Sequence, residues 1–337
     1  MKYSFFRSRV VLLALPTIVA AAAAFAGCVG GVSIEPPSST PKGAGGGSIY
    51  ALSNDGGPRL VRIDPVTGVS TTVSTTLPGA SFFGAGAMSS ALDLVHRRYV
   101  YIVPGDSPVD HMISVDIDSG ALLADVALER KTFGLGVDRA TGDLFCATYP
   151  IEGSDVSEID IIDPLTGGYT LVSSYPPPSA APGGTVLGDG DDFALGDYGV
   201  LVTDPEAGTI AIVPPSDVSL LNLRYDPLEN HLIATSLAGD WYKGGSNEVD
   251  VRLVSVDPAT GATHDIAALP ALDHVLQADA AYDAATQRYF LVGGADTPQG
   301  VSMWVEGNDL VTIDAETGDV LASPEMKTPI FNLQFAP

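Results

Sequence analysis

Carboxylates and aromatic side chains concentrate in a few long polar segments of this chain, each placed between two apolar stretches typical of β-strands. Both tryptophans fall in these segments. Aromatic rings beside carboxylates on loops can bind a peptide, a glycan or a cation. The equally open alternative is that Trp241 and Trp304 pack their own loops. The candidate ligand-binding residues are Asp106, Asp110, Glu152, Asp155, Asp240, Trp241, Tyr242, Asp296, Trp304 and Glu306.

The sequence gives weaker signals for a metal site or a catalytic site than for a binding surface. The segment Asp189-Gly190-Asp191-Asp192 resembles a calcium-binding loop in its carboxylates, but it lacks the EF-hand spacing and the bidentate Glu, so a solvated acidic loop is expected. The histidines, at 96, 111, 231, 264 and 274, form no metal-ligand pair. No nucleophile elbow or phosphate-binding glycine loop is present. We therefore expect no catalytic residue, metal or cofactor, although a Ser, His and Asp set assembled from distant segments stays open.

A repeated turn organises the strands between these segments. Asp64-Pro65-Val66-Thr67-Gly68 returns in six copies in all, with Asp first and Gly fifth. Asp can accept a backbone N–H two residues on, Pro fixes φ, and Gly supplies the positive φ that closes a reversal. Successive copies are 41 to 57 residues apart, which is typical of a four-stranded propeller blade. The first Asp of each copy is Asp64, Asp116, Asp163, Asp204, Asp257 and Asp314.

Apolar strands precede and follow each copy, so each copy is predicted to be a hairpin tip. The sequence predicts an all-β fold, a six-bladed β-propeller with four-stranded antiparallel blades and no significant helix. Unrelated turns in a large sandwich are the alternative. After a first blade that begins at residue 48, the predicted blades span about 82–128, 133–175, 185–214, 220–269 and 276–326.

The first predicted blade has only three strands. Phe133–Asp138 and Leu221–Asp226 show the pattern of an opening strand, and Phe331–Phe335 repeats it at the end of the chain. We therefore expect the C-terminal strand to pair into the first blade, which closes the ring and covers a strand edge. A frayed tail is the alternative.

The two faces of such a propeller have different connections. The six Asp-to-Gly turns join third to fourth strands, so they lie on one face and are expected to be structural. The long acidic segments join second to third strands and open on the opposite face. This opposite face is the predicted binding face.

Composition restricts the partners. The chain of 337 residues has a formal charge of −25 and a pI near 4.2. Such a surface repels phosphate backbones and anionic lipid, which argues against nucleic-acid binding. Solubility is the simplest reason for the charge, and a cationic partner is the alternative.

The first 27 residues have the form of an export signal, with Lys2, Arg7 and Arg9 before the mostly apolar run from Val10 to Phe25. Its end, Phe25-Ala26-Gly27-Cys28, resembles the lipobox of bacterial lipoproteins. That resemblance implies cleavage, lipidation of Cys28 and, because Val29 is not Asp, sorting to the outer membrane of a Gram-negative host. Ordinary secretion is the alternative. Residues 28–47, rich in Pro and Gly, are expected to be a flexible tether to a propeller at 48–337. Cys146 then has no disulfide partner, and a buried, inert thiol is expected.

The strands with their intervening Asp-Pro-x-Thr-Gly turns, over roughly residues 48–337, resemble the blades of the YVTN and YncE-like group within the quinoprotein-like propellers. The resemblance implies the fold more strongly than a function. Quinoprotein dehydrogenases carry a docking Trp after a similar turn, and no Trp follows any of the six turns here.

We therefore expect a monomeric, lipid-anchored propeller of the cell envelope that binds an envelope protein or glycan through its long loops and is not an enzyme. The alternative is a calcium-dependent lactonase or other hydrolase with a metal in the central channel.

Overall fold

The computed structural model describes residues 46–337 except for several internal segments. Those segments are 55, 79–88, 104–109, 149–156, 176–183, 188–191, 197–198, 205–208, 214–218, 239–249, 259, 270–274 and 294–308. Backbone contacts divide the chain into Met1–Thr40 and Pro41–Pro337, and the described residues belong to the second unit. Every regular element in the described residues is a β-strand. No helix among them is long and apolar enough to cross a membrane.

The strands pair into four-stranded sheets, numbered along the chain. Sheet 1 contains β1 (Ser48–Asn54), β2 (Pro58–Ile63), β3 (Ser70–Thr72) and β24 (Ile330–Ala336). Sheet 2 contains β4 (Ser90–Asp93), β5 (Arg98–Val103), β6 (His111–Asp116) and β7 (Leu122–Ala127). Sheet 3 contains β8 (Thr132–Val137), β9 (Leu144–Thr148), β10 (Ser157–Ile162) and β11 (Tyr169–Tyr175). Sheet 4 contains β12 (Gly184–Leu187), β13 (Asp192–Gly196), β14 (Gly199–Asp204) and β15 (Thr209–Val213). Sheet 5 contains β16 (Ser219–Asp226), β17 (His231–Ala238), β18 (Asp250–Val256) and β19 (Thr263–Ala268). Sheet 6 contains β20 (Val275–Asp283), β21 (Arg288–Gly293), β22 (Asp309–Asp314) and β23 (Val320–Ala322).

All pairings within the sheets are antiparallel; sheets 2 to 6 are meanders of consecutive strands, and sheet 1 adds β24 beside β1. The first strands of neighbouring sheets contact one another in the order β24, β4, β8, β12, β16, β20 and back to β24. These strands therefore surround the centre, and the remaining strands of each sheet extend outward from them. This arrangement is that of a β-propeller.

The predicted six-bladed propeller needs a correction in its number of blades. Five blades, rather than six, are described with a packed side-chain interior, namely sheets 1, 2, 3, 5 and 6. Sheet 4, between sheets 3 and 5, is described through its strand pairing alone. It belongs to the shortest and least regular of the predicted repeats, so the turn count overstated how alike the blades are.

The cores lie between neighbouring sheets. Strands alternate their side chains between two faces, and each sheet uses both faces to bury apolar groups against its neighbours. Between sheets 1 and 2, for example, Leu52 and Leu60 pack with Tyr99 and Tyr101, and all four side chains are buried. Stability in the ring therefore depends on contacts between blades as much as on pairing within them.

The C-terminal strand is in sheet 1, as the sequence predicted. β24 pairs with β1 through register partners that include Phe335 with Ile49. Leu333 is fully buried, and the Phe335 ring stacks on Phe290 of sheet 6 with centroids 5.5 Å apart. The Tyr99 hydroxyl of sheet 2 donates to the carbonyl of Asn332 at 2.5 Å. One strand thus connects three sheets.

The Asp-to-Gly turns have the predicted geometry where they are described. Asp64 Oδ1 accepts the N–H groups of Val66 and Thr67, both at 2.9 Å. The Thr67 and Val66 N–H groups lower the pKa of this carboxyl below its ordinary value. In the next copy a Cβ added at Gly120, whose φ is +71°, would lie 1.9 Å from the Val73 carbonyl oxygen of sheet 1. The glycine is therefore required both by its own conformation and by close contact with the preceding blade.

Two further hydrogen bonds show that these turns join the blades. Ser114 of β6 donates to the carbonyl of Pro164 in the turn of sheet 3, at 2.7 Å. Thr312 of β22 donates to the carbonyl of Pro65 in the turn of sheet 1, at 3.2 Å. In both cases the turn of one sheet is bound to the third strand of the sheet before it, which supports the structural role predicted for the turns.

A second series of Asp-led turns joins first to second strands. It was not among the turns predicted from the sequence. It begins at Asp93, Asp138, Asp226 and Asp283, and the fourth residue after each Asp has positive φ: Arg97, Gly142, Asn230 and Gln287. Three of the four are not glycine, so the glycine signal that identified the first series is missing. Both series lie on the same face of the propeller.

Leu333→Ala is expected to lower the free energy of unfolding by about 2–5 kcal/mol, because it leaves a cavity in the strand that closes the ring. Urea unfolding of the full chain measures the change. Leu321→Ala is the matched control, since that leucine is 50% exposed and its loss should change stability by about 0.5 kcal/mol or less. Equal effects of the two substitutions would show that β24 does not close the fold.

A charged cluster at the base of the candidate binding face

Most of the predicted ligand-binding residues lie outside the described residues. They are Asp106, Glu152, Asp155, Asp240, Trp241, Tyr242, Asp296, Trp304 and Glu306. Cys28, Asp189 and Asp191 are outside them as well. The described strand ends nonetheless fix where two of these loops begin and end. The loop with Asp106 follows β5, and the loop with Glu152 and Asp155 joins β9 to β10.

Asp110 is the one predicted ligand-binding residue that the structure describes. It is 8% exposed, and its carboxylate accepts the N–H of Thr132 at 3.4 Å. Its carbonyl accepts the N–H of Leu128 at 2.8 Å. Asp110 therefore holds the start of β6 against the connection between sheets 2 and 3, and ligand binding by this residue stays a prediction.

Arg130, in that connection, is the centre of a charged cluster. One guanidinium nitrogen forms a short ion pair with Glu158, and the other lies 3.3 Å from Asp160. The guanidinium carbon lies 4.2 Å from the centroid of the Tyr169 ring, which is a cation–π contact. Arg130 is thereby bound to two strands of sheet 3, and little of its side chain reaches solvent.

Asp160 is the most buried charged group of this cluster. Its Oδ2 accepts a hydrogen bond from Thr148 at 3.2 Å, whereas its Oδ1 is buried and no described residue donates to it. Burial raises the pKa of the Asp160 carboxyl, and the positive charge of Arg130 opposes this increase without cancelling it. The site therefore keeps a carboxyl group that holds its proton to higher pH than an exposed Asp would.

Tyr169 completes the cluster from β11. Its hydroxyl lies 2.7 Å from the Thr132 hydroxyl. Burial raises the pKa of Tyr169 to about 12, so the phenol is neutral at physiological pH. The N–H of Thr132, the first residue of β8, donates to the Asp110 carboxylate, which connects the cluster with Asp110.

The strand period explains why these side chains meet. Glu158 and Asp160 are two residues apart in β10, so they lie on the same face, and their register partners in β9 are Thr148 and Cys146. That face packs against sheet 2, and Arg130 lies in the connection between the two sheets. Sequence analysis missed the cluster, although two acids alternating within an apolar strand are a usable signal, because buried carboxylates need a cationic partner.

This arrangement is suited to supporting the loops. Thr148 is the last residue of β9 and Glu158 the second residue of β10, so both lie next to the loop with Glu152 and Asp155, and Asp110 follows the loop with Asp106. The single positive charge of Arg130 is already paired with the carboxylates of Glu158 and Asp160. The cluster therefore fixes the bases of two acidic loops at one point of the rim, and it provides no nucleophile paired with a base.

The other candidate groups add no catalytic set in the described residues. Cys146 is buried, as expected, and burial raises the pKa of its thiol. His96 and His111 each contact an Asp at 2.8 Å. No group of three or more His, Cys, Asp or Glu side chains suited to a metal ion occurs among the described residues.

Asp160→Asn is expected to gain stability relative to the unmodified chain as the pH rises from 3 to 7. The raised pKa of the folded carboxyl means that the unfolded chain loses this proton first, so ionisation of Asp160 disfavours the folded state at the upper end of that window. The neutral amide avoids the effect. Urea unfolding of both proteins at several pH values gives the difference in free energy of unfolding.

Asp64→Asn is the control with the opposite sign. The pKa of Asp64 is lowered in the folded chain, so the ionised carboxylate stabilises the fold above the unfolded pKa and this stabilisation is lost as the pH falls. The Asn variant should therefore lose stability relative to the unmodified chain as the pH rises. A flat or falling difference for Asp160→Asn would contradict the assignment of a raised pKa.

Comparison with known proteins supports the fold. No protein-family model matches the chain, and no curated protein sequence matches it. TolB from Acinetobacter baumannii is similar with a TM-score of 0.59 and 12% identity, over 88% of this chain and 68% of that chain. A putative 6-phosphogluconolactonase from Bacteroides fragilis is similar with a TM-score of 0.53 and 10% identity, over 88% of this chain and 100% of that chain. A second one, from Bacteroides uniformis, has a TM-score of 0.55 and 9% identity, over 86% and 99%. At these identities the likeness establishes a β-propeller, whereas membership of the YVTN and YncE-like group and the lipoprotein signal stay predictions.

Proposed function

We propose that this chain is a lipid-anchored propeller of the cell envelope that binds a protein or glycan partner through its long-loop face. The observation that carries the proposal is the cluster around Arg130, which fixes the bases of two acidic loops at one place on the rim. Binding loops on a rigid scaffold are a common arrangement, because the scaffold limits the entropy lost when a partner is bound.

The distribution of connections supports the choice of face. The opposite face carries short turns whose backbone groups are bound to the turn Asp or to the neighbouring sheet. Those turns have little freedom to adapt to a partner. The long connections, which contain both tryptophans and most of the candidate acids, lie on the other face.

The N-terminal sequence supports the proposed location. An apolar segment that ends at Cys28 and is followed by residues rich in Pro and Gly fits export, lipidation and a tether to the membrane. The propeller would then stand off the membrane surface with its partner-binding face accessible. The strongly negative charge favours partners with basic surfaces over nucleic acids or anionic lipid.

Trp241→Ala and Trp304→Ala are each expected to weaken partner binding by about 2 kcal/mol or more, which is roughly thirty-fold in affinity. The full chain, immobilised, captures partners from envelope extract of the host, and the captured proteins and glycans are quantified for each variant. Leu165→Ala is the control, because this leucine is 48% exposed on the opposite, Asp-turn face. Partners captured equally by all variants would rule out the proposed face.

The same purified chain separates binding from the alternative, a calcium-dependent lactonase or other hydrolase. Metal analysis before and after chelation is the measurement. If the chain contains a stoichiometric divalent ion, and chelation removes both the ion and lactone hydrolysis, the enzymatic proposal replaces the binding proposal. Loss of partner capture in the tryptophan variants without such an ion would support binding.

Cys28→Ala is expected to abolish incorporation of radiolabelled palmitate and to move the chain from the membrane fraction to the soluble fraction of the envelope. The reason is that the thiol of Cys28 is the proposed site of lipid attachment. Cys146→Ala is the control, since Cys146 is buried and its loss should leave labelling unchanged. Labelling that persists in Cys28→Ala would exclude the proposed anchor.

A further inference from the structure

A pocket of about 320 Å³ lies between sheets 5 and 6, on the face that carries the Asp-led turns. It is therefore on the opposite side of the propeller from the proposed binding face. Ile266 and Ala315 contribute apolar wall. The polar and charged residues that line it are Asp226, Glu229, His231, Ser255, Tyr282, Gln287 and Glu316.

The carboxylates of this pocket differ in how they are satisfied. Asp226 is buried, and it accepts hydrogen bonds from the Tyr282 hydroxyl and the Leu228 N–H, both at 2.8 Å. Glu229 is 52% exposed and lies 3.6 Å from a ring nitrogen of His231. Among the described residues, no side chain donates to the carboxylate of Glu316. Two carboxylates therefore remain available to a ligand at the mouth of the pocket.

Gln287 supplies a second, independent sign of an unfilled site. Its side chain lines the pocket and is more than nine-tenths buried, with the residue 8% exposed. The amide nitrogen donates to Glu229 at 3.3 Å, so the amide is directed to the acidic wall. The amide oxygen is buried and accepts no hydrogen bond from any described residue. A buried acceptor without a donor destabilises the folded state. A donor that reaches it removes this cost.

Sheet 2 has a turn of the same kind, and an arginine occupies the position that Gln287 has in sheet 6. Arg97 is the fourth residue after Asp93, as Gln287 is after Asp283, and both have positive φ. The carbonyl of Arg97 accepts the N–H of Ile117 at 3.0 Å, and the carbonyl of Gln287 accepts that of Ala315 at 2.9 Å. The residue positions therefore correspond in the two sheets, and so do their backbone contacts.

The guanidinium of Arg97 binds Asp118, which lies in the Asp-to-Gly turn of the same sheet. Its Nε and Nη2 donate to the two carboxylate oxygens of Asp118 at 2.9 and 2.5 Å. Asp118 is the second residue after the turn Asp of sheet 2, and Glu316 is the second residue after the turn Asp of sheet 6. In sheet 6 the acid is kept, but the arginine is replaced by a neutral amide.

A second arginine is replaced in the same way. In sheet 2, Arg98 donates to the buried Asp93 through Nη2 at 2.6 Å. The corresponding residue after Asp226 in sheet 5 is His231, five residues on in each case. The junction of sheets 5 and 6 thus has the carboxylates of the repeat without either guanidinium.

We propose that the pocket between sheets 5 and 6 binds a guanidinium group, which replaces the arginine that sheet 2 provides from its own chain. A guanidinium can pair bidentately with Glu316 or Glu229 and has further N–H groups for the amide oxygen of Gln287. The apolar wall accommodates the alkyl chain behind it. The group can belong to a small guanidino compound or to an arginine side chain of a peptide.

Titration calorimetry of the full chain with N-ethylguanidinium, propylammonium and tetramethylammonium tests the chemistry. Saturable binding of one N-ethylguanidinium is expected, with propylammonium about tenfold weaker because it lacks the planar pair of donors, and tetramethylammonium not bound. An acetylated, amidated peptide with one central arginine is the second arm. Tighter binding of the peptide than of N-ethylguanidinium identifies a peptide as the source, and weaker binding identifies a small compound. No binding of either probe would overturn the proposal.

Gln287→Arg is the decisive variant, because it restores the arginine of sheet 2 within the chain and should reduce N-ethylguanidinium affinity at least tenfold. Glu316→Gln, at an exposed position that should not affect folding, is expected to weaken binding to a similar extent. Asp319→Asn is the matched control, since Asp319 is an exposed acid beside the same turn and does not line the pocket. Binding that is unchanged in Glu316→Gln, or equally reduced in Asp319→Asn, would show only non-specific attraction to an acidic protein.

Discussion

The pairing of β24 with β1 is the constraint on which the rest of the propeller depends. A ring of sheets has no outer scaffold, so its first and last sheets must be joined by the chain itself. Here the last strand completes the first sheet, stacks Phe335 on Phe290 of sheet 6 and accepts a hydrogen bond from Tyr99 of sheet 2. Opening the ring therefore requires three sheets to lose contacts together, and this coupling makes the arrangement of every loop and turn a property of the whole ring.

Closure also explains why the two faces differ. Turns on one face are bound to the sheet before them, as Ser114 to Pro164 and Thr312 to Pro65 show. They contribute to the contacts between blades, and their sequences are restricted accordingly. The connections on the other face differ in length and charge from one sheet to the next. The Arg130 cluster supplies local support where two of them begin and end.

The sequence was sufficient for the fold class because its strongest signals are local. An Asp, a Pro and a Gly at fixed spacing determine a turn through its own hydrogen bonds and φ angles, and the closing strand repeats an opening pattern. The Arg130 cluster could not be found in that way, since Arg130 meets Asp160 only after two sheets pack. The turn sequence of sheet 4 matches the other copies, so counting turns predicted six blades. Finding buried charge pairs requires knowing which strand faces are interior.

A repeat protein offers its own reference state, and this is what makes small departures informative. In one chain, the same turn frame with the same backbone contacts contains Arg97 beside Asp118 in sheet 2, and Gln287 beside Glu316 in sheet 6. The backbone contacts are the same in the two turns, but Arg97 is half-exposed whereas Gln287 is buried, with an amide oxygen that has no donor among the described residues. A buried acceptor without a donor costs about 1–3 kcal/mol, which ordinary folding gives no reason to keep. A ligand that supplies the missing donors gives such a reason.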